Sequence, residues 1–346
     1  MKNFVNKKLI NIEKKILSKF NKTKKNYFST KILINFLIYL NLKTEKLLYL
    51  KDYNPENEIL REIEYLNKFI IDFNMFDEFS VKQTNKQNFN LEKNHQSLFQ
   101  KLWLNFNYNE FKKERLGRYI KRIKLNKLQK FITNKKIVDF GCGHGNFLMS
   151  MTDFKPNECI GIDYGKESIQ YANSMKRRIF PNKKIFFYER SVYKSKLKKN
   201  YFDFAIQNGV FHHLKNENLA YKEVYRVLKP GGFFWVYTDG GGGLRDFVWD
   251  LSQKLLQNID NDIVQNQIRS SGLSTNKEYH LGDGLSARYR HTDLPNLKDR
   301  LDKIGFKFVK QLRGGFKTDI DFPYCKDKYF KKKFGSGDLR ILFKKI

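Results

Sequence analysis

Three glycines separated by single residues follow an aspartate in a short apolar run. Asp139 lies in the run Ile137–Phe140, and Gly141, Gly143 and Gly145 come directly after it. Glycine adopts positive φ at little cost, and without a Cβ it lets a ligand approach the backbone closely. The unpaired amides at the start of a following helix face such a ligand. The spacing therefore predicts a strand, a tight turn and a helix whose first turn meets a ligand.

A second acid ends the next apolar run. Asp163 follows Asp139 by 24 residues in the sequence, which is near the spacing expected for an acid that holds ribose hydroxyls. A carboxylate has two acceptor oxygens, and this suits a vicinal diol. The two acids and the glycine turn together predict a site for a nucleoside-containing ligand.

The rest of the chain adds motifs in a fixed order. A third strand-like run, Tyr201–Ile206, leads into Gln207–Leu214, which contains His-His-Leu, and the motif Leu-Lys-Pro-Gly-Gly at Leu228–Gly232 precedes the apolar run Phe233–Tyr237. This order closely resembles the class I methyltransferases that depend on S-adenosylmethionine (SAM). Their pattern has D-x-G-x-G-x-G, an acid ending the second strand, F-D leading to H-H-L, and L-K-P-G-G. The resemblance covers about residues 100–346.

The resemblance implies a Rossmann-like α/β fold with a mostly parallel seven-stranded sheet, helices on both faces and an antiparallel last strand. Alternating strands and helices from Lys135 onward favour the same architecture. The strands are expected near 136–140, 158–162, 184–188, 202–207, 233–238, 306–312 and 338–344. We expect a methyltransferase domain over 95–346, preceded by a basic, mainly helical extension over 1–90.

The family pattern also assigns a SAM site. The expected SAM-binding residues are Asp139, Gly141, Cys142, Gly143, Gly145, Asp163, Tyr164, Ser191, Asn208 and Gly209. In the family, Asp139 would contact the methionine amino group and Asp163 both ribose hydroxyls. Arg190 stands where the family often has an acid for the adenine amino group, so Glu189 or Ser191 would have to replace that contact.

Two histidines are candidate general bases, because imidazole titrates near neutral pH. They are His213, in the His-His-Leu element, and His291, in the connection 239–303 where acceptor specificity is expected. Arg288 is a further candidate for an acceptor contact. Packing or helix capping is the alternative role for each of these residues. The six scattered histidines suggest no metal site.

The first fifty residues contain twelve lysines and only two acids, Glu13 and Glu45. Leu9, Ile12, Ile16 and Phe20 recur at helical spacing, so an amphipathic helix is expected. This helix either covers part of the fold or forms a basic arm for a membrane surface or RNA. Asn54, followed by Pro55 and Glu56, predicts the start of another helix.

The chain is strongly basic, and this charge has two explanations. The net charge of +31 comes with many Lys, Asn, Ile and Phe residues, which is typical of AT-rich coding sequence; nucleic-acid binding is the alternative. With three unpaired-looking cysteines and no apolar run that could span a bilayer, we expect a cytoplasmic protein.

The leading interpretation is an enzyme that transfers a methyl group from SAM to an O, N or C atom of a small molecule. An RNA or tRNA methyltransferase and a non-catalytic SAM-binding partner protein are the alternatives. The sequence specifies neither the acceptor nor the oligomeric state.

Overall fold

The computed structural model describes residues 4–21, 27–71, 108–286, 291–316, 319–321 and 325–346. These residues divide into two compact units. The sheet unit comprises the described residues within 96–240, 290–324 and 337–346. The helical unit comprises those within 1–95, 241–289 and 325–336.

Seven strands form one sheet in the sheet unit. They are β1 (Lys136–Phe140), β2 (Glu158–Asp163), β3 (Ile185–Glu189), β4 (Phe202–Asn208), β5 (Leu228–Asp239), β6 (Phe306–Gln311) and β7 (Asp338–Lys345). Their order is β3-β2-β1-β4-β5-β7-β6, and β7 is antiparallel to both of its neighbours. The first five strands pair in parallel. The predicted fold and its antiparallel last strand are confirmed.

Strand β5 begins five residues earlier than predicted, at Leu228 instead of residue 233. Leu228 pairs with Phe202, and the register then shifts before Phe204 pairs with Phe233. Pro230 and two glycines make the segment Leu228–Gly232 look like a turn in the sequence. In the structure this segment is the first part of β5, where the pairing with β4 is irregular.

The helices of the two units follow in chain order. They are α1 (Lys7–Phe20), α2 (Tyr27–Leu48), α3 (Glu56–Ile71), α4 (Gly117–Leu125), α5 (Asn146–Ser150), α6 (Lys166–Ile179), α7 (Glu217–Val227), α8 (Leu244–Leu256), α9 (Asn261–Arg269), α10 (Thr275–Ser286), α11 (Leu294–Asp302) and α12 (Phe330–Phe334). A three-residue α-helical turn, Tyr108–Glu110, and a π-helical stretch, Phe111–Leu116, lead directly into α4.

The sheet carries a separate apolar core on each face. One core joins alternate strand residues such as Ile137, Ile206 and Trp235 to the helices α4, α5 and α6. The other joins the intervening residues, such as Val138 and Val236, to α7 and α11. Because side chains alternate along a strand, Asp139 and Asn208 lie on the first face, at or near the carboxyl ends of β1 and β4. Polar groups on that face can therefore gather at one edge of the sheet.

In the helical unit, the N-terminal helices share a core with the chain that follows β5. Asn41 of α2 donates to Ser252 of α8 at 3.0 Å, Lys254 of α8 pairs with Glu13 of α1 at 2.7 Å, and Lys277 of α10 pairs with Glu45 at 2.5 Å. The expected helix with buried Leu9, Ile16 and Phe20 is present as α1. The expected domain boundary between residues 90 and 95 lies outside the described residues and stays a prediction.

Helix α3 starts close to where Asn54 and Pro55 predict it. The Asn54 side chain accepts a hydrogen bond from the Glu56 amide at 3.3 Å. The helix buries an apolar stripe of Ile59, Ile63, Leu66 and Ile70. The capping residue thus binds one of the amides that the first helical turn leaves unpaired.

Glycines at 241–243 pack against their own chain. A Cβ at Gly243 would lie 2.5 Å from the amide nitrogen of Gly335 and 2.6 Å from the carbonyl oxygen of Lys333. Ser336 donates its amide to the Gly241 carbonyl at 3.1 Å. The close approach for which these glycines are needed is therefore between two backbone segments of the helical unit.

Asn41 gives a direct test of this shared core. Its side-chain amide donates to Ser252 and to the Leu37 carbonyl at 2.8 Å, and it is only 4% exposed. We expect Asn41→Ala to lower the free energy of unfolding by about 1–2 kcal/mol, as measured by urea denaturation. Asn35 of the same helix contacts Gln267 on the exposed surface, and Asn35→Ala should cost less than about 0.5 kcal/mol. Equal losses in the two variants would contradict the assignment of Asn41 to the core.

Candidate active site

The candidate site forms where the strand order reverses. Strand β1 lies between β2 and β4, so the chain leaves β1 toward one side of the sheet and returns on the other. In open parallel sheets, ligands bind beyond the carboxyl ends of the strands at this position. The turn Gly141–Gly145 occupies it.

The three glycines of this turn all have positive φ, with values of 75°, 51° and 73° at Gly141, Gly143 and Gly145. The amides of Gly141 and Cys142 donate to the Ile162 carbonyl at 2.8 and 3.0 Å, which ties the turn to β2. A Cβ at Gly145 would lie 2.3 Å from the Phe187 ring, whereas one at Gly143 would meet no atom within 4 Å. Gly145 is therefore required for packing, and Gly143 faces open space.

Asp139 lies beneath this turn and is 2% exposed. Its Oδ1 atom forms no hydrogen bond with any residue that the structure describes. Burial, followed by the nearby charge of Asp163, raises the pKa of Asp139 to about 8. A buried carboxyl group without a partner is unfavourable. Its presence here indicates a missing donor, and a cationic donor would restore the ionised form.

Asp163 connects the end of β2 to the glycine turn. Its Oδ2 accepts the Gly143 amide at 2.9 Å, and its Oδ1 accepts the Gly165 amide at 2.8 Å. Burial raises the pKa of Asp163, while the backbone donors Gly165, Gly143 and Tyr164 act in the opposite direction. Each carboxylate oxygen can accept more than one hydrogen bond, so both retain capacity for a ligand hydroxyl.

The end of β3 is built differently from the family pattern. The Arg190 guanidinium donates to the Ser195 carbonyl at 3.2 Å and lies over the Tyr188 ring at 4.5 Å. Ser191 Oγ accepts the Tyr193 amide at 3.2 Å, and Glu189 is exposed. Arg190 is thus engaged by its own loop, and the assignment of Ser191 to the adenine end of a ligand stays a prediction.

Tyr164 and Cys142, two of the expected SAM-binding residues, differ sharply in how far they are exposed to solvent. Tyr164 is 62% exposed, so its ring is available to a ligand. Cys142 is 8% exposed, and burial raises the pKa of its thiol, with Asp163 and Asp139 adding to the effect. A thiol held neutral in this way is a poor nucleophile, and Cys142 contributes its small size and backbone to the turn.

After β4, a buried glutamine organises the chain. Gln207 Oε1 accepts the amides of Val210 and Phe211 at 3.0 and 3.3 Å, and its Nε2 donates to the Tyr237 carbonyl at 2.9 Å. This arrangement fixes the turn that presents Asn208, whose Oδ1 is buried and forms no hydrogen bond within the described part of the chain. Gly209 has a φ of 82° and packs on the Tyr237 ring. The sequence did not identify Gln207, because a single glutamine in an apolar strand carries no motif.

Tyr119 was also missed by sequence reasoning. It lies in α4, its ring stacks on Phe147 of α5 at 4.5 Å, and its hydroxyl is 3.5 Å from the Asn208 Nδ2. The π-helical stretch Phe111–Leu116 leads directly into this helix, and π-helical turns often occur at functional sites. The neighbouring Arg118 lies over the Phe316 ring at 4.9 Å.

The two candidate bases occupy different environments. His213 is 2% exposed in the short 3₁₀ helix Phe211–His213, and the neighbouring His212 contacts Thr238 Oγ1 through Nδ1 at 3.2 Å. His291 is half-buried and precedes Thr292, whose amide donates to the Asp239 carbonyl at 3.3 Å. The backbone therefore places His291 at the carboxyl end of β5. Arg288 lies outside the described residues, and the catalytic assignments stay predictions.

A buried ionic network adjoins the same edge of the sheet. Arg122 donates to Asp319 at 2.8 Å, and Arg340 donates to Asp319 at 3.1 Å and to Asp338 at 2.9 Å. Arg340 also pairs with Asp321. Arg340 and Asp338 lie at the start of β7, which pairs with the end of β5. The network joins α4 to β7. No local pattern in the sequence predicts it, because its members are up to about 220 residues apart.

Residues 133–279 match the profile of a family described as "Methyltransferase domain". They include the glycine turn, the second acid and the chain through β5, in the sheet order described above. This part of the chain is therefore similar to a methyltransferase domain.

The chain is also similar to yeast and plant proteins. It is 28% identical over 178 residues to a sterol 24-C-methyltransferase of Kluyveromyces lactis, covering 51% of this chain and 42% of that protein. It is 29% identical over 109 residues to a cycloartenol-C-24-methyltransferase of Arabidopsis thaliana, covering 30% and 32%. The chain therefore spans less than half the length of each of these relatives.

A solved structure of similar fold is the 1,6-didemethyltoxoflavin-N1-methyltransferase of Burkholderia thailandensis. The TM-score is 0.46 and the identity 12%, over 77% of this chain and 92% of that one. Within the described ranges, no helix is long and apolar enough to cross a membrane, and no three His, Cys, Asp or Glu residues group as metal ligands would.

Proposed function

We propose that this protein transfers a methyl group from SAM to an uncharged small molecule. The observation that carries the proposal is the buried, unpartnered Asp139 carboxyl beneath a glycine turn that has open space at Gly143. A ligand with an ammonium group, a ribose and a flat aromatic base would supply the missing donor, meet Asp163 and reach the exposed Tyr164 ring. SAM has these three parts.

The proposed contacts follow from the available atoms. Asp139 Oδ1 would accept from the ammonium group, and the two oxygens of Asp163 would accept from the ribose hydroxyls. Gly141, Gly143 and Gly145 would bring the backbone under the methionine part, with Cys142 as the small residue between them. Asn208 and Gly209 would line the methyl end, and Ser191 would lie at the base.

Bound SAM supplies an electrophilic methyl group on a positively charged sulfur. The chain's own residues hold the two reactants in line and exclude water. Tyr119 and Asn208 are placed for this task, since their polar groups lie 3.5 Å apart at the end of β4. His213 and His291 are proposed bases for a proton that the acceptor loses.

The charge balance at this edge of the sheet supports an uncharged acceptor. Asp319, Asp321 and Asp338 face three guanidinium groups, those of Arg122, Arg340 and, at 3.9 Å, Arg118. A balanced network of this kind offers no surplus charge of either sign to an ionic acceptor.

The relatives favour carbon as the acceptor atom. Both the Kluyveromyces and the Arabidopsis proteins are named as methyltransferases that act on C-24 of a sterol. We therefore propose a sterol-like, unsaturated and uncharged acceptor.

This proposal is tested with purified full-length protein, SAM labelled in its methyl group, and two acceptors, cycloartenol and bulk tRNA. Label in the organic extract that depends on cycloartenol would support it. Label in the tRNA fraction would overturn the small-molecule assignment, and no transfer to either acceptor by a SAM-binding protein would overturn the sterol-like acceptor.

The raised pKa of Asp139 predicts that SAM binding releases a proton. A carboxyl group whose pKa is raised to about 8 in the ligand-free fold is about 90% protonated at pH 7. Because the folded state holds this proton more tightly than the unfolded chain, the ligand-free protein loses stability as the pH rises from the unfolded pKa of 3.8 to about 8, where the loss is complete. A cation bound beside it lowers this pKa, so SAM binding at pH 7 should release close to one proton.

Calorimetry at pH 7 in phosphate and in Tris, whose ionisation enthalpies differ, measures this release. Asp139→Asn should abolish it and weaken SAM binding. A binding enthalpy that does not depend on the buffer would contradict the assignment of Asp139. Release that persists in Asp139→Asn would assign the proton to another group, such as Asp163.

A further inference from the structure

The exposed face of α1 carries positive charge only. Lys7, Lys8, Lys14, Lys15 and Lys19, here called the lysine stripe, are all exposed, and the other exposed helical residues are Asn11 and Ser18. At 100° per residue these positions fall within an arc of about 140°. The stripe is about 18 Å long, from Lys7 to Lys19.

The opposite face of this helix is fixed in the helical unit. Leu9 and Ile16 are fully buried and Phe20 is 2% exposed. The single acid of α1, Glu13, pairs with Lys254 at 2.7 Å and is 13% exposed. The apolar side of α1 is thus unavailable to a membrane interior, and its acid is neutralised inside the unit. The stripe is a preformed cationic surface.

Coding bias toward lysine does not explain the stripe by itself. Helix α3 belongs to the same unit and the same sequence, yet its exposed positions mix Arg61, Glu64, Tyr65 and Lys68. The bias that enriches lysine has not removed acids from that surface. The absence of exposed acids in α1 is a local property.

Several lysines of the stripe occupy positions where a positive charge destabilises the helix. Lys7 and Lys8 occupy the first turn, where the helix dipole favours acids, and the first turn contains none. Lys15 and Lys19 are four residues apart, a spacing at which like charges repel. Lys7, Lys8, Lys14 and Lys15 form no ion pair with the described part of the chain. These unfavourable placements are offset when the stripe meets an anionic surface.

We propose that the lysine stripe docks the protein onto an anionic lipid bilayer. The choice of a bilayer over RNA rests on the side chains, because the exposed face has no arginine for bidentate phosphate contacts and no aromatic ring for stacking on bases. Lysine ammonium groups on one flat face suit a diffuse layer of lipid phosphates and carboxylates. The proposal rests on the proposed function, since a sterol-like acceptor resides in membranes.

Docking of this kind has a defined strength and salt dependence. Each lysine near an anionic leaflet contributes about a factor of five to the binding constant. Because no apolar group inserts, binding is electrostatic and weakens as salt shortens the screening length from about 10 Å at 0.1 M to about 3 Å at 1 M.

The test uses full-length protein and sedimentation with vesicles of phosphatidylcholine alone or with 30% phosphatidylserine, a composition chosen as roughly that of an anionic leaflet. The stripe variant changes Lys7, Lys8, Lys14 and Lys15 to Gln. The matched control changes four exposed lysines of the sheet unit to Gln, namely Lys183, Lys184, Lys194 and Lys199, and so has the same net charge.

We expect the stripe variant to bind the anionic vesicles about 600-fold more weakly, because four factors of about five multiply, and the control to change by less than about threefold. Equal losses in both variants would show that total charge alone binds the vesicles, and this would overturn the proposal. Tighter binding to tRNA than to vesicles, lost in the stripe variant, would overturn it in favour of RNA. SAM affinity should be equal in all forms, so a failure of docking is separate from a failure of the methyltransferase assignment.

Discussion

Replacing Gly145 with alanine is expected to lower the free energy of unfolding by about 3 kcal/mol. The residue has a φ of 73°, where a side chain costs about 1 kcal/mol, and its new Cβ would lie 2.3 Å from the ring of Phe187. Phe187 is 5% exposed in the core, so the ring has little room to move. Thermal or urea unfolding of the purified variant measures the loss.

Gly143 in the same turn is the matched control. It also has a positive φ, 51°, but a Cβ there would meet no atom of the protein within 4 Å. We expect Gly143→Ala to cost only about 1 kcal/mol of stability. We expect the free energy of SAM binding to change by more than the free energy of unfolding, because the methyl group would extend into the space proposed for the ligand. If the two variants lost equal stability, the distinction between a packing glycine and a ligand-facing glycine would be wrong.

Asp163→Ala is expected to weaken SAM binding by about 100-fold or more. The carboxylate accepts the amides of Gly143 and Gly165, so its removal both frees the glycine turn and deletes the proposed acceptors for the ribose hydroxyls. Charge-assisted hydrogen bonds contribute about 1.5–3 kcal/mol each, and a loss near 3 kcal/mol corresponds to this factor. Isothermal calorimetry gives the affinity directly.

Asp153→Asn is the control for this variant. Asp153 lies in the 3₁₀ turn Met151–Phe154, before the amino end of β2, and it is exposed. The loss of its charge should change SAM affinity by less than about threefold. Unchanged affinity in a folded Asp163→Ala protein would remove Asp163 from the site.

The sheet and the glycine turn follow from local sequence. Runs of apolar residues bounded by glycines and acids predicted all seven strands, most within a residue or two. The positive φ of Gly141, Gly143 and Gly145 follows from the residue type. These features depend on neighbours in the chain, and local patterns are therefore sufficient.

The features that sequence did not predict are made by distant residues. Arg122, Asp319 and Arg340 form one buried network, but nothing in the sequence pairs them until the fold brings α4 and β7 together. Asn41 likewise meets Ser252 across 211 positions. The helical unit thus combines the N-terminal helices with the chain after β5, where acceptor specificity was expected. No periodicity encodes that association, because each helix shows only which of its faces is apolar.

The most direct measurement is calorimetric titration of the purified full-length protein with SAM and with S-adenosylhomocysteine, its demethylated product. The absorbance ratio at 260 and 280 nm is recorded first, so that bound RNA is detected. We predict saturable one-to-one binding of both ligands, with the affinity for SAM strongly reduced in Asp163→Ala and retained in Asp153→Asn. A folded protein that binds neither ligand would contradict the assignment of this site to SAM.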